Sequence, residues 1–294
     1  MNEIYGIVPP TTTPFTSGGQ VDEVALKEDV RYLIEVAGVH GLAVCGSTGE
    51  GHTLTTDETY RITACAVEES GGRIPVITGI ITDSTQSAIE RGQAVAGLGI
   101  KALQVTPVHY LFRPSDGAMI DHFARIAEGT GLPVIIYNVI PWTYLSPELL
   151  TRIITQVEGV IGVKQSAGDM KLLADLLLLL GDRGCIMSAV DALLYPSFLL
   201  GAHGAIAAIL TAAPKLCVQL WEAVENGNYE TARSLHDLLL PIWNAISDDN
   251  LPANVKYVMQ LQGRASGKSR LPMPETNQQQ KEIIKRALLS AALI

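Results

Sequence analysis

The 294-residue sequence is short of cysteine, of basic residues and of long unbroken apolar runs, and each shortage removes a class of function. Its four cysteines, Cys45, Cys65, Cys185 and Cys217, lie far apart and mostly within apolar stretches. They read as reduced core thiols, with neither the framework of a small disulfide-rich domain nor the spacing of a zinc site. Only 21 Lys and Arg stand against 30 Asp and Glu, a net charge of −9, which argues against nucleic acid or an anionic membrane as partner. The nearest approach to a membrane span, residues 192–213, is interrupted by Pro196, Gly201, His203, Gly204 and Thr211. It is better explained as a buried helix followed by an inner strand. Residues 1–13 carry prolines and Glu3 where a leader would carry a basic start and an apolar stretch, so no targeting segment is expected and the compartment is expected to be cytoplasmic. The six histidines show no close pairing with acidic residues at ligand spacing, so no metal is expected.

What the chain does have is a 47% apolar content, enough for a large core, arranged as short apolar runs alternating with amphipathic ones. Strands are expected at 4–8, 41–45, 74–78, 102–106, 134–137, 160–164, 185–188 and 205–208. Helices are expected between them at 23–37, 57–70, 85–98, 117–129, 147–156 and 171–180. Eight near-continuous apolar strands joined by helical crossovers predict an α/β fold, a (β/α)8 barrel of the TIM type. Further helices at 215–225, 229–246, 252–262 and 278–294 follow the last strand. The expected organisation is therefore a barrel over 1–214 with a C-terminal helical extension over 215–294.

Lys164 ends the apolar run Val160-Ile161-Gly162-Val163, where a cation has no ordinary reason to sit. Burial disfavours an ammonium, so an amine at the end of an inner strand can serve as a nucleophile toward a carbonyl carbon. A lone strand-end lysine more often snorkels to solvent, and its company decides between the two readings. The strand at 134–137 ends in Tyr137, a phenol able to relay protons, followed by Asn138. The strand at 41–45 opens into Gly46-Ser47-Thr48-Gly49-Glu50, where hydroxyls and backbone N–H groups can hold a carboxylate. In a barrel, Ser47, Thr48, Tyr137 and Lys164 all fall at the carboxyl ends of strands, the end at which such folds place their active sites.

These segments, with Gly6-Ile7-Val8-Pro9, Thr13-Pro14-Phe15 and Gly201-Ala202-His203-Gly204-Ala205-Ile206, resemble the dihydrodipicolinate synthase and N-acetylneuraminate lyase family of pyruvate-dependent class I aldolases over nearly the whole chain. The resemblance implies that Lys164 forms an imine with pyruvate or a longer 2-oxo acid, and that Tyr137 moves the protons. It further implies that Ser47 and Thr48 bind the carboxylate and that Ile206 contributes backbone beside the imine. No cofactor or metal is implied. The partners are a 2-oxo acid, an aldehyde and further copies of the chain, as a tetramer or dimer. Many members borrow a second tyrosine from a neighbouring subunit. Tyr110 is the candidate here, for that role or for packing at a subunit interface, while His109 beside it either lines the pocket or faces solvent.

The chain departs from the synthase pattern in the segment after Tyr137-Asn138, which reads Val139-Ile140-Pro141-Trp142-Thr143-Tyr144 and lacks the arginine that binds the second substrate's carboxylate. Trp142 in its place suggests a less acidic, more apolar or aromatic aldehyde, unless the indole only packs under its loop. Ala189-Val190 likewise replaces a Gly-Asp pair. Ser166, two residues beyond the lysine, is a further substrate-binding candidate. Glu50 is expected to brace its turn and Asp169 to cap the next helix. The function expected is a Schiff-base lyase or aldolase that makes or breaks a carbon–carbon bond between a 2-oxo acid and an aldehyde. The alternatives are a dehydratase or hydratase-aldolase using the same imine, 4-hydroxy-tetrahydrodipicolinate synthase proper, and a non-catalytic 2-oxo acid binder.

Overall fold

The computed structural model describes residues 4–294; Glu3, used in reading the chain's start, lies outside the described residues. Eight parallel strands form one sheet: β1 (Gly6–Ile7), β2 (Leu42–Val44), β3 (Val76–Ile80), β4 (Ala102–Val105), β5 (Val134–Asn138), β6 (Val160–Gln165), β7 (Cys185–Ser188) and β8 (Gly204–Ala205). Their spatial order, β1-β8-β7-β6-β5-β4-β3-β2, keeps neighbours in sequence as neighbours in space. Between them run α1 (Glu23–Arg31), α2 (Thr56–Ser70), α3 (Thr85–Ala96), α4 (Asp116–Thr130), α5 (Pro147–Gln156), α6 (Met170–Leu180) and α7 (Leu194–Leu199). After β8 come α8 (Ile209–Ala212), α9 (Pro214–Glu225), α10 (Tyr229–Ile246), α11 (Leu251–Leu261) and α12 (Gln278–Ser290).

The helices start where polar side chains can satisfy free backbone N–H groups. Thr55 and Glu58 form a reciprocal capping box at α2, as do Asn277 and Gln280 at α12. Ser146 caps α5 with Pro147 in its first turn, and Asp169 caps α6, as its spacing suggested. Side chains alternate across each strand and sort into two cores. Ala43, Ile77, Ala102, Ile135, Cys185 and Met187 meet inside the curved sheet. Val44, Ile80, Leu103, Ile136, Val163 and Ile186 face outward into the large apolar layer shared with the helices.

The expected barrel is met in part. The strand ladder stops between β1 and β2, where one isolated parallel bridge, Pro10 to Ala43, takes its place. Proline explains the gap, because Pro9 and Pro10 have no N–H to offer a continuing ladder. Around them His40 N–H donates to the Ile7 carbonyl (2.8 Å), Ala43 N–H to Pro9 (3.1 Å) and Thr11 N–H to Ala43 (2.9 Å). Among the described residues no helix is long and apolar enough to cross a membrane.

Candidate active site

The carboxyl ends of β2, β5, β6, β7 and β8 surround a cavity of about 680 Å³. Lys164 and Tyr137 reach it from neighbouring strands, paired in register so that both side chains point inward from the same level. A bulge opposite Val134/Ile135 makes this possible. It absorbs Ile161 and returns β6 to the alternation that puts Gly162 and Lys164 inside and Val163 outside. Lys164 is only 4% exposed, and its Nζ lies 4.0 Å from the centre of the Tyr137 ring. The Tyr137 hydroxyl donates to Ser47 Oγ at 2.9 Å. The phenol thus has the amine against its ring face and the serine hydroxyl at its oxygen, a grouping that can serve proton transfer once a substrate bonded at Nζ brings its oxygen to the phenol.

That loop is under backbone strain at both ends. Cys45 and Glu50, neither of them glycine, take left-handed conformations with φ of 58° and 55°. Glycine is required where other backbone crosses it, since a Cβ on Gly51 would sit 1.9 Å from the Cys45 carbonyl oxygen. Glu50 N–H donates back to Ser47 O and Gly51 N–H to Gly46 O, each at 3.0 Å, closing the loop on itself. Thr13 Oγ1 donates to Gly49 O at 2.6 Å. The result presents Ser47 and a buried Thr48 to the cavity.

Of the residues singled out from sequence, Lys164, Tyr137, Ser47, Thr48, Ser166 and Ile206 line this one cavity. Ser166 Oγ is buried and has no hydrogen-bond partner, so its capacity is unspent. Tyr110 and Trp142 do not line it; they are 73% and 68% exposed. They belong together nonetheless, because the Trp142 indole N–H donates to the His109 carbonyl at 2.8 Å. His109 is half-buried and folds back, its Nδ1 3.1 Å from the Pro107 carbonyl and 3.2 Å from Asp83. Asn138, next to Tyr137, points out of the cavity; its side chain holds Leu145 at both N–H and carbonyl and so fixes the β5–α5 connection.

Sequence reading missed part of the wall. Asp191, just past β7, faces the cavity while its Oδ1 accepts the Ile209 N–H at 2.8 Å. Burial pushes its carboxyl up to about 6, against the opposing pull of the Ile209 N–H and of the Lys164 charge. Its one sequence signal, a strand-end position, is shared by any aspartate that opens a helix. Trp243, Leu251, Pro252 and Met273 also line the cavity, from α10, α11 and the segment before α12. No local pattern marks them, since only the return of the C-terminal helices over the strand ends brings them there.

The four cysteines are free and buried, and burial pushes the thiols of Cys45 and Cys185 up to about 12 and that of Cys65 to about 11. None is a nucleophile at neutral pH. Among the described residues, no group of three His, Cys, Asp or Glu side chains is placed to hold a metal ion.

Comparison with known proteins agrees with this arrangement. The Dihydrodipicolinate synthetase family matches residues 3–291. The chain is 35% identical to the 4-hydroxy-tetrahydrodipicolinate synthase of Methanopyrus kandleri over 99% of this chain and 98% of that protein. It is also 35% identical to the enzyme of the same name from Thermodesulfovibrio yellowstonii, over 96% of each. Among solved structures, a prophage protein of the dihydrodipicolinic acid synthase family from E. coli K12, in complex with pyruvate, superposes with a TM-score of 0.94 at 28% identity, covering 99% of both chains. The chloride-inhibited dihydrodipicolinate synthase of Acinetobacter baumannii, complexed with pyruvate, matches at the same TM-score of 0.94 and 28% identity, over 99% of this chain and all of that one. On a family match that spans almost every residue, the chain belongs to the dihydrodipicolinate synthase and N-acetylneuraminate lyase family of pyruvate-dependent class I aldolases.

Proposed function

We propose that this chain uses Lys164 to form a Schiff base with pyruvate or a longer 2-oxo acid and makes or breaks a carbon–carbon bond to an aldehyde. The observation that carries the assignment is the buried Lys164 Nζ, 4.0 Å from the Tyr137 ring, with Tyr137 hydrogen-bonded to Ser47 in the same cavity. Nζ attacks the keto carbon, and the carbinolamine loses water once its oxygen gains a proton through Tyr137. The protonated imine then draws electrons from the adjacent carbon, so that loss of a proton or of an aldehyde leaves a neutral enamine. Ser47, Thr48 and the loop N–H groups hold the carboxylate, Ile206 backs the imine, and Ser166 takes a substrate oxygen.

The second partner is apolar. Beyond the imine end, apart from the polar His52 and Asp191, the wall is largely Val139, Val190, Leu193, Trp243, Leu251 and Met273, and among the described residues no arginine lines the cavity. A carboxylated aldehyde would enter without a bidentate partner, and a polyol would strand its hydroxyls against apolar carbon. A second reading, 4-hydroxy-tetrahydrodipicolinate synthase proper, is favoured by the name of the curated relatives and opposed by this wall.

Exposure of Tyr110, Leu111, Phe112 and Trp142 on one tied pair of loops supports a homo-oligomer, dimer or tetramer, in which Tyr110 meets a second copy. The hydrogen bonds across the β1–β2 seam support closure of the sheet as a TIM-type (β/α)8 barrel over 1–214, with 215–294 as an extension packed upon it. Four buried, unpaired thiols support a reducing, cytoplasmic setting.

The test is borohydride reduction in the presence of pyruvate, followed by intact-mass measurement of the wild type and of Lys164→Ala. An adduct in the wild type alone is expected; turnover retained by Lys164→Ala would sink the mechanism. With the adduct in hand, an aryl or branched aliphatic aldehyde should give a higher kcat/KM than succinic semialdehyde or a polyhydroxylated aldehyde.

A further inference from the structure

Behind the β2 loop, on the side away from the cavity, lies an ion pair that the chemistry above does not use. Glu50 is fully buried, and one of its carboxylate oxygens accepts from Lys256 Nζ of α11 at 2.6 Å; the Lys256 side chain is 3% exposed. The other carboxylate oxygen accepts the backbone N–H of Arg270 at 2.8 Å. Lys256 also donates to the Lys268 carbonyl at 2.7 Å and lies 5.0 Å above the Phe15 ring. Arg270 in turn donates to the Thr53 carbonyl just past the loop, at 3.0 Å. Every polar atom of the Glu50 carboxylate is therefore committed to residues more than 200 positions away, at one end of the strained turn that carries Ser47 and Thr48.

A carboxylate enclosed like this is costly to desolvate, and so is the ammonium, whose proton affinity burial lowers against the pull of Glu50. An apolar pair would fill the same space more cheaply. What an apolar pair could not do is hold a non-glycine residue at φ 55° in a fixed direction, because dispersion contacts are not directional while charge-assisted hydrogen bonds are.

We propose that Lys256 and Glu50 are positioning residues for 2-oxo acid binding: their buried pair locks the turn so that the hydroxyls and N–H groups of Ser47 and Thr48 are preorganised for a carboxylate. This rests on the reading that those groups bind the substrate carboxylate. It assigns to α11, from the C-terminal helices, a part in affinity that no cavity contact of Lys256 supplies.

The test compares Lys256→Met and the double variant Lys256→Met/Glu50→Gln with wild type by two readouts. The first is the pyruvate concentration for half-maximal borohydride trapping, together with the plateau of the adduct. The second is hydrogen exchange of the amides of residues 46–51. In Lys256→Met the half-saturating concentration should rise by about tenfold or more, the equivalent of about 1.4 kcal/mol, while the plateau at saturating pyruvate is unchanged. The loop amides should exchange faster. The double variant removes both charges, so it should recover the thermal stability of wild type and keep the raised half-saturation. If Lys256→Met does not fold, the double variant carries both readouts. Folded variants with wild-type half-saturation and wild-type loop protection would overturn the proposal. Should wild type itself give no adduct, the Schiff-base reading fails, and the exchange readout still decides whether the pair fixes the turn.

Discussion

At the scale of single residues, the chemistry-bearing side chains were legible because each broke a local rule. An apolar strand that ends in a lysine, another that ends in a tyrosine, and a glycine-flanked pair of hydroxyls are each anomalous, and the fold brings all three to one cavity. Asp191 was not legible, because an aspartate after a strand looks like any helix start, and its unusual state comes from burial that only the tertiary structure creates. That state has a measurable consequence. Its carboxyl titrates near 6 when folded against an ordinary value of 3.8, so between those values the folded chain holds a proton that the unfolded chain has lost. Stability from this group therefore falls as pH rises through that window, and at pH 7 the ionised side chain costs about 1–3 kcal/mol. His122 has the opposite sign. Burial lowers it from 6.5 to about 4, so the unfolded chain binds the extra proton and stability rises with pH over that interval, by roughly 3 kcal/mol. The two slopes largely offset each other in the wild type. Asp191→Asn, which keeps an acceptor for Ile209 N–H, should be more stable than wild type at pH 7 and should unmask the rising slope of His122. Urea denaturation between pH 4 and pH 7 reads both effects, and a variant less stable than wild type at pH 7 would contradict the argument.

At the scale of elements, all eight strands and their order were read correctly, β7 at the expected residues, while α8 and some element bounds were not. The third strand lies two residues later than its apolar run suggests, at Val76–Ile80, because Thr78 and Gly79 break the apolar pattern yet are fully enclosed. Thr78 pairs with Thr63 of α2, and Gly79 lets the Cys45 carbonyl pass, since a Cβ there would come within 2.5 Å of it. The first helix gives way to a π-helical turn at Tyr32–Val36, and the last strand stops at Ala205 where α8 and its Asp191 cap take over the backbone. Neither has a sequence signal at the level of composition or period. The glycine before Val163-Lys164 does have one, as part of the Gly-Val-Lys triplet, and its reason is steric. A Cβ on Gly162 would lie 2.1 Å from the Cys185 carbonyl oxygen of β7, a backbone atom that cannot rotate away. Gly162→Ala must push β6 off β7 and carry Lys164 with it. We expect a loss of about 3 kcal/mol or more in stability. Pyruvate trapping should fall by about 100-fold even in protein that folds, because misplacement on the order of 1 Å is enough for that. Wild-type trapping by a folded Gly162→Ala would show that the strand has room the structure denies it.

At the scale of the whole molecule, the expected division at 214 separates parts that are fastened together deep in the interior. Two ion pairs that are both buried cross it, Lys256 to Glu50 and Arg264 to Asp29. Arg264 also donates to the Thr211 carbonyl at 2.7 Å, and the Thr12 hydroxyl donates to Met259 Sδ. The part after 214 moreover supplies Trp243, Leu251, Pro252 and Met273 to the cavity, so the site is incomplete without it. Such an arrangement predicts a single cooperative unfolding transition rather than two. Arg264 offers the sharpest probe, because its partner is nearly free of competing contacts: burial raises the Asp29 carboxyl while the Arg264 guanidinium, donating to Oδ1 alone, pulls it down, and Oδ2 has no hydrogen-bond partner. Arg264→Met leaves that carboxylate enclosed and unpaired and should cost about 3–5 kcal/mol. Adding Asp29→Asn removes the stranded charge, so the double variant should recover most of the loss, a coupling that only a direct interaction produces. If the two parts were independent domains, Arg264→Met would lower one of two transitions and leave the other in place. The structure instead requires the whole melting curve, followed by circular dichroism and by tryptophan fluorescence from Trp142, Trp221 and Trp243, to shift as one.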